Sequence, residues 1–357
     1  MAPTLPRHIE ALINKEGPIT VARFMAEALG HYYDRGEPIG GQGDFITAPE
    51  ISQAFGEVLG AWCAFVWRGI GRPSPIALVE LGPGRGTLMQ DALRAIEAVA
   101  PDFAGALHVH LVETSPVMRR AQADRLGRRP VWHDDPSDLP DTPLIVLANE
   151  FFDALPVHQL VARNGAWHER LVGIRSGGGL AFEIAAEPSP LAGSLPGGID
   201  AYPDGAIFEL NQAAGAIVGE IAGRIAEHGG AALVIDYGHA ASATGETLQA
   251  VRNHAFAPVL DDPGEADLTA HVDFEALSRA AGEVMVHGPT SQRDFLIALG
   301  IEARAAKLQN SAKTKEAREE IATGVARLID PRGMGTLFKV LALSGPDQPA
   351  PPGFETP

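Results

Sequence analysis

At 357 residues with a formal net charge of −17, from 28 basic and 45 acidic side chains, the chain lacks the Lys/Arg stripe that affinity for nucleic acid or an anionic membrane surface requires. Its 45% hydrophobic content supports one large α/β domain with insertions or two smaller ones, and the single Cys63 excludes an internal disulfide framework and a cysteine-based zinc site. The apolar run Ala61 to Trp67 is closed by Arg68, far short of the roughly 20 residues that span a bilayer, so no membrane insertion is expected.

Leu5 to Asn14 and Ile19 to Leu29 carry apolar residues at helical spacing around Gly17-Pro18, and predict two short helices with Thr20 as the N-cap of the second. Gly36, Gly40, Gly41 and Gly43 then form a loop that ends at Pro49, a residue suited to the first turn of the helix running through Phe55 and Leu59. This loop reads either as a glycine-rich surface segment or as a lid over a ligand, with Asp44, Phe45 and Thr47 at its tip.

In IALVELGPGRGT, Ile76 to Thr87, an apolar run leads into Glu80 and the alternate glycines Gly82, Gly84 and Gly86, followed by a helical pattern to Val99. The pattern predicts a buried strand, a tight turn, and a helix whose N-terminus is open to a ligand. A dinucleotide fingerprint is G-x-G-x-x-G, whereas this is E-x-G-x-G-x-G, the form used by S-adenosylmethionine enzymes of the Rossmann-like class. A purely structural turn is the competing reading.

Leu107 to Val112 predicts a second strand ending in Glu113, ahead of a helix from about Ser115 to Leu126. An acidic residue at that place accepts hydrogen bonds from ribose hydroxyls, or simply complements the helix dipole. Val131 to His133 is a short third strand, and one of His133, Asp134 and Asp135 suits an adenine edge, with a solvated turn as the equal alternative. Leu144 to Ala148 is the fourth, and it delivers Asn149, Glu150, Phe151, Phe152 and Asp153 where the crevice of a doubly wound sheet lies.

Beyond Pro156 the period changes to two. Val157 to Ala162, Ala166 to Ile174 and Leu180 to Ile184 predict inserted antiparallel strands, with Asn164-Gly165 as a hairpin turn. Phe208 to Glu227 is expected to be a helix, Ala231 to Ile235 a strand ending at Asp236, and His239 to Thr269 a long loop. A helix at Phe274 to Ala281, a strand at Val284 to Val286, a helical region from Ser291 to Leu328 and a strand from Thr336 to Leu343 complete the pattern. The chain thus divides into N-terminal helices with a glycine-rich lid (1–70), a first core part (71–156), an inserted β-rich segment (157–205), core (206–238), a loop insertion (239–270), and a core end (271–344) with a helical insertion at about 291–330. The Pro-rich tail, 345–357, is expected to be disordered.

The strings GDFITAPEISQAFGEVLGAW, VELGPGRGTLMQDALR, ANEFFDALPVHQL, and DYGH with DLTAHVDF stand in one order along the chain. Together they resemble the MidA-type family, bacterial relatives of the mitochondrial arginine methyltransferase needed to assemble respiratory complex I. The resemblance runs from roughly Ile9 to Leu343 and implies an α/β fold with a class I methyltransferase sheet. It also implies S-adenosyl-L-methionine as cofactor, and a protein substrate, an arginine-bearing segment of a complex I subunit. Because the start carries neither a signal-peptide pattern nor the transit peptide of the mitochondrial members, a bacterial cytoplasmic setting is expected.

On this reading Glu150 and Asp153 grip the acceptor, Asn149 orients it, Phe151 or Phe152 walls the pocket, and Asp44 or Asp236 completes it. Gly82, Gly84 and Gly86 admit the methionine part of the cofactor, Glu80 bonds its amino group, Glu113 takes the ribose, and Thr47 joins them from the lid. No metal is called for, and a homodimer is left open. Two alternatives remain: an assembly chaperone that binds the cofactor without turnover, and an NAD(P)-dependent oxidoreductase on a similar sheet.

Overall fold

In the computed structural model, which describes residues 4–34, 46–127 and 130–354, the motif-bearing sheet belongs to a unit made of 46–152, 216–240 and 272–354. Its strands are β1 (Ile76–Leu81), β2 (Leu107–Val112), β3 (Val131–His133), β4 (Leu144–Asn149), β5 (Gly230–His239), β6 (Met285–Ser291) and β7 (Phe338–Ser344). Their spatial order is 3-2-1-4-5-7-6, parallel from β3 to β5, with β7 antiparallel to both of its neighbours, and an eighth, two-residue strand, Val272–Asp273, pairs parallel with the end of β5. Every residue of β1 and β4 is buried, as the near-continuous apolar runs require of strands covered on both faces. Because β1 is followed in space by β2 on one side and β4 on the other, the order reverses there. The carboxyl ends of these strands therefore frame the ligand crevice of an open α/β sheet. This is the Rossmann-like architecture expected.

The expected helical insertion consists of Gln292–Ala298, Ile301–Ser311 and Lys315–Ile329. Buried Glu57, on the helix Gln53–Gly69, ties it to the sheet. Its Oε2 accepts from Arg304 Nε at 2.6 Å and its Oε1 from Arg304 Nη2 at 2.9 Å, while Arg94 reaches Oε1 at 3.2 Å from the helix Thr87–Val99. The tail departs from the expectation of disorder as far as Phe354. Trp62 Nε1 donates to the Pro352 carbonyl at 3.2 Å, and the Phe354 ring lies 5.4 Å from that of Phe295. Apolar Pro351 and Phe354 find a partner surface that composition alone does not reveal.

The second unit comprises 4–34, 153–215 and 241–271. The inserted strands form a five-stranded antiparallel sheet from Ile19–Thr20, His158–Arg163, Ala166–Ile174, Leu180–Pro188 and Ile207–Leu210. Asn164 and Gly165 both take positive φ, 51° and 75°, as a type I′ hairpin demands. Thr20 caps its helix as expected, its Oγ1 accepting from Arg23 N at 3.1 Å.

Two expectations fail here for the same physical reason. Ile207–Leu210 is a strand paired with His158 to Val161, so the helix expected from Phe208 starts only at Gln212, with Asn211 Oδ1 accepting from Ala214 N at 2.9 Å. The expected loop 239–270 contains a three-stranded sheet of Gln249–Arg252, Ala255–Ala257 and Asp267–Thr269. Strands of three or four residues are too short to show a period of their own, and pairing with distant partners decides them. Among the described residues no helix is long and apolar enough to cross a membrane.

Candidate active site

The turn after β1 needs its glycines. Gly82, Gly84 and Gly86 have φ of 58°, 50° and 78°, the left-handed region that costs other residues about 1–2 kcal/mol. A Cβ on Gly82 would also stand 2.7 Å from Phe151 Cδ2. Gln122 locks the turn from outside, donating through Nε2 to the Gly84 carbonyl at 2.7 Å and to Glu113 Oε2 at 3.2 Å. Its Oε1 accepts from Trp132 Nε1 at 2.8 Å. Nothing in the sequence singles out Gln122, one polar residue in a helix of polar residues.

Glu80 lies within β1, and Glu113 directly follows β2. Glu80 is buried in β1, and its Oε2 has no hydrogen-bond partner among the described residues. Burial pushes its carboxyl well above the usual range, against the pull of the Met89 backbone N–H. An ammonium group beside such a carboxylate would restore its charged form. Glu113, at the end of β2, accepts from Ser115 N at 2.8 Å and from Gln122. Burial raises its carboxyl and those bonds lower it. Since each carboxylate oxygen accepts more than one hydrogen bond, this held carboxylate suits two adjacent hydroxyls.

The loop after β4 brings Asn149 and Glu150 together. Glu150 takes φ of 50°, unusual for a side chain of its size, and its N–H donates to the Ile235 carbonyl at 2.9 Å. Its Oε1 accepts from Ala48 N at 2.9 Å and from Asn149 Nδ2 at 3.0 Å. Asn149 Oδ1 is buried and has no hydrogen-bond partner among the described residues.

Asp236, weighed as part of the acceptor pocket, does something else. It is wholly buried, and its Oδ2 accepts from Phe151 N at 3.2 Å and Phe152 N at 3.0 Å while Oδ1 accepts from Tyr237 N at 2.9 Å. It holds the loop that carries Glu150. Of the two aromatics, Phe152 is buried in the unit and Phe151 covers Gly82.

Asp153 belongs to the second unit, where its backbone carbonyl accepts from Ala270 N at 2.9 Å. There burial, then the carboxylates of Asp267 and Asp153, push the Tyr33 hydroxyl well above its ordinary range. Asp44 lies outside the described residues. Thr47 makes no side-chain cap; its carbonyl accepts from Glu50 N at 3.0 Å and starts the short helix Ala48–Ile51. Asp134 pairs with Arg119 at 2.6 Å and Asp135 caps Ser137 N at 2.8 Å, so both serve the turn after β3.

Sequence reasoning missed Glu50. Its Oε1 accepts from Thr87 Oγ1, and its Oε2 lies 3.9 Å from Arg85 Nη1. This carboxylate stands at the start of the helix Thr87–Val99, where the dipole favours negative charge. A pyrophosphate, which dinucleotide-binding sheets seat at that helix start, would meet a charge of its own sign. The arrangement weighs against an NAD(P)-dependent oxidoreductase.

Comparison with known proteins agrees. The family model described as "Putative S-adenosyl-L-methionine-dependent methyltransferase" matches residues 58–290. The protein arginine methyltransferase NDUFAF7, mitochondrial, of Danio rerio is 38% identical over 94% of this chain and 86% of its own length. The chain belongs to this methyltransferase family. The methyltransferase is similarly 38% identical to the Drosophila melanogaster homologue and 36% identical to the Homo sapiens protein, covering 84% and 82% of their lengths and 95% and 94% of this chain.

A crystal structure of a Burkholderia thailandensis protein bound to S-adenosyl-homocysteine superposes on the methyltransferase with a TM-score of 0.81 at 29% identity, covering 99% of this chain and 92% of that one. S-adenosyl-L-methionine is the cofactor of the methyltransferase. One expectation is overturned: these curated relatives are mitochondrial proteins of eukaryotes, so the bacterial cytoplasmic setting drawn from the start of the chain does not stand.

Proposed function

We propose that this methyltransferase modifies an arginine side chain of a protein, and that its substrate is a respiratory complex I subunit during assembly. The relatives named protein arginine methyltransferases support the acceptor class. The observation that carries it in this chain is Asn149 Oδ1, a buried acceptor with no partner among the described residues, bonded through its own amide to the carboxylate of Glu150. Buried polar atoms demand partners, and an acceptor beside a carboxylate favours a donor that is also a cation. A guanidinium is planar, offers five N–H donors and stays charged near neutrality.

S-adenosylmethionine supplies an electrophilic methyl group on sulfur. Glu80 holds its amino group, Glu113 its ribose, and the positive-φ turn at Gly82, Gly84 and Gly86 lets the backbone approach it. Glu150 fixes which guanidinium nitrogen faces that methyl, draws positive charge toward the other nitrogens, and stands to receive the proton that the attacking nitrogen releases. Asn149 sets the tilt of the guanidinium plane. The protein contributes mainly placement, which is worth most where reacting atoms are held in line.

The test is incubation of the protein with methyl-labelled cofactor and complex I subunits, followed by peptide mass spectrometry. Label on an arginine is expected. Cofactor binding without any transfer would instead leave the chaperone reading. Glu150→Gln is expected to abolish transfer with cofactor affinity nearly intact; transfer persisting in Glu150→Gln refutes its assignment.

A further inference from the structure

We propose that Glu50 is a positioning residue through which the cofactor turn and the Glu150 loop act as one element. The helix Ala48–Ile51 is a single turn bonded at both ends to different parts of the site. At its start Ala48 N donates to Glu150 Oε1 at 2.9 Å. Two residues on, the Glu50 carboxylate takes the Thr87 hydroxyl and faces Arg85, both within the glycine turn and its helix.

The turn is braced from behind. Ser52 ends it and caps the next helix, accepting from Ala54 N at 3.3 Å. Gly324, on the helix Lys315–Ile329, lies so close that a Cβ there would stand 2.7 Å from the Ile51 carbonyl. A one-turn helix pinned at three points moves as a body, so a displacement of Thr87 reaches Ala48 and with it the carboxylate oxygen of Glu150. Packed elements of this kind transmit small shifts because they have few alternative arrangements.

The consequence is a coupling between cofactor occupancy and the order of residues 149–152, independent of which acceptor the enzyme uses. A carboxylate that merely stabilised the start of the helix Thr87–Val99 would change stability and leave that coupling intact.

The test needs no protein substrate. S-adenosylhomocysteine is titrated by calorimetry into the wild type, Glu50→Gln, Thr87→Val and the double variant, and amide hydrogen exchange at 149–152 is followed with and without it. Each single variant is expected to bind about tenfold more weakly. The double variant is expected to lose less affinity than the sum of the two single losses, because both weaken the Thr87–Glu50 contact, while Glu50→Gln also releases Arg85. Protection of 149–152 on binding is expected in the wild type and lost in Glu50→Gln. Additive losses, no protection in the wild type, or protection kept in Glu50→Gln would each overturn the proposal. Should Glu50→Gln fail to fold, Thr87→Val alone decides on the same exchange readout.

Discussion

Phe151 occupies the space that a side chain on Gly82 would need, its Cδ2 2.7 Å from the position of that Cβ. Gly82→Ala therefore meets two costs, a left-handed φ of 58° and displacement of the ring. The expected loss of stability is about 1–3 kcal/mol, read by denaturant unfolding. Because the ring lies over the cofactor turn, affinity for S-adenosylhomocysteine should fall by more than tenfold. A variant that keeps both properties would show that the turn tolerates a different path and does not shape the site.

That contact illustrates what the sequence could show. Alternate glycines between an apolar run and a helical pattern mark a tight turn that can take left-handed backbone, so the turn at Gly82, Gly84 and Gly86 was legible from its spacing. Glu113 was legible because β2 ends where its apolar run ends. Glu50 and Gln122 were not, since the residues of the turn and its helix that they bond, Thr87 and Gly84, are 37 and 38 residues away and neither stands in a periodic pattern that marks it. Asp236 was visible as a carboxylate at a strand end, but its role depends on where Phe151 and Phe152 direct their N–H groups. Asp153 stands three residues from Glu150 in the chain, yet the fold places it in another unit, a boundary that no change of pattern marks at that point.

Asp236→Asn tests the support of the reaction loop. The carboxylate gathers three backbone N–H donors on two oxygens within a fully buried position. An amide presents one oxygen and turns an NH2 group toward donors that then lack an acceptor. The expected cost is about 1.5–3 kcal/mol, the range for hydrogen bonds to a charged group. Since two of those donors belong to Phe151 and Phe152, turnover should fall further than cofactor affinity. Loss of affinity alone would place the role of Asp236 at the cofactor.

Glu80 links cofactor recognition to pH. Burial raises its folded-state carboxyl well above the ordinary value of 4.5, so the folded protein binds a proton there that the unfolded chain has released. Its stability contribution is thus fully present below about 4.5 and is lost as pH rises through the interval up to the folded value. Glu80→Gln mimics the protonated form and cannot ionise. Its stability relative to the wild type should match at acid pH and become the greater of the two as pH climbs, measured by denaturant unfolding across a pH series. Cofactor binding should run the other way. The ammonium of the ligand favours the ionised carboxylate, so wild-type affinity for S-adenosylhomocysteine is expected to strengthen over the same interval, while the Gln variant binds more weakly with little pH dependence from this position. Equal pH profiles in the two proteins would remove Glu80 from the cofactor site.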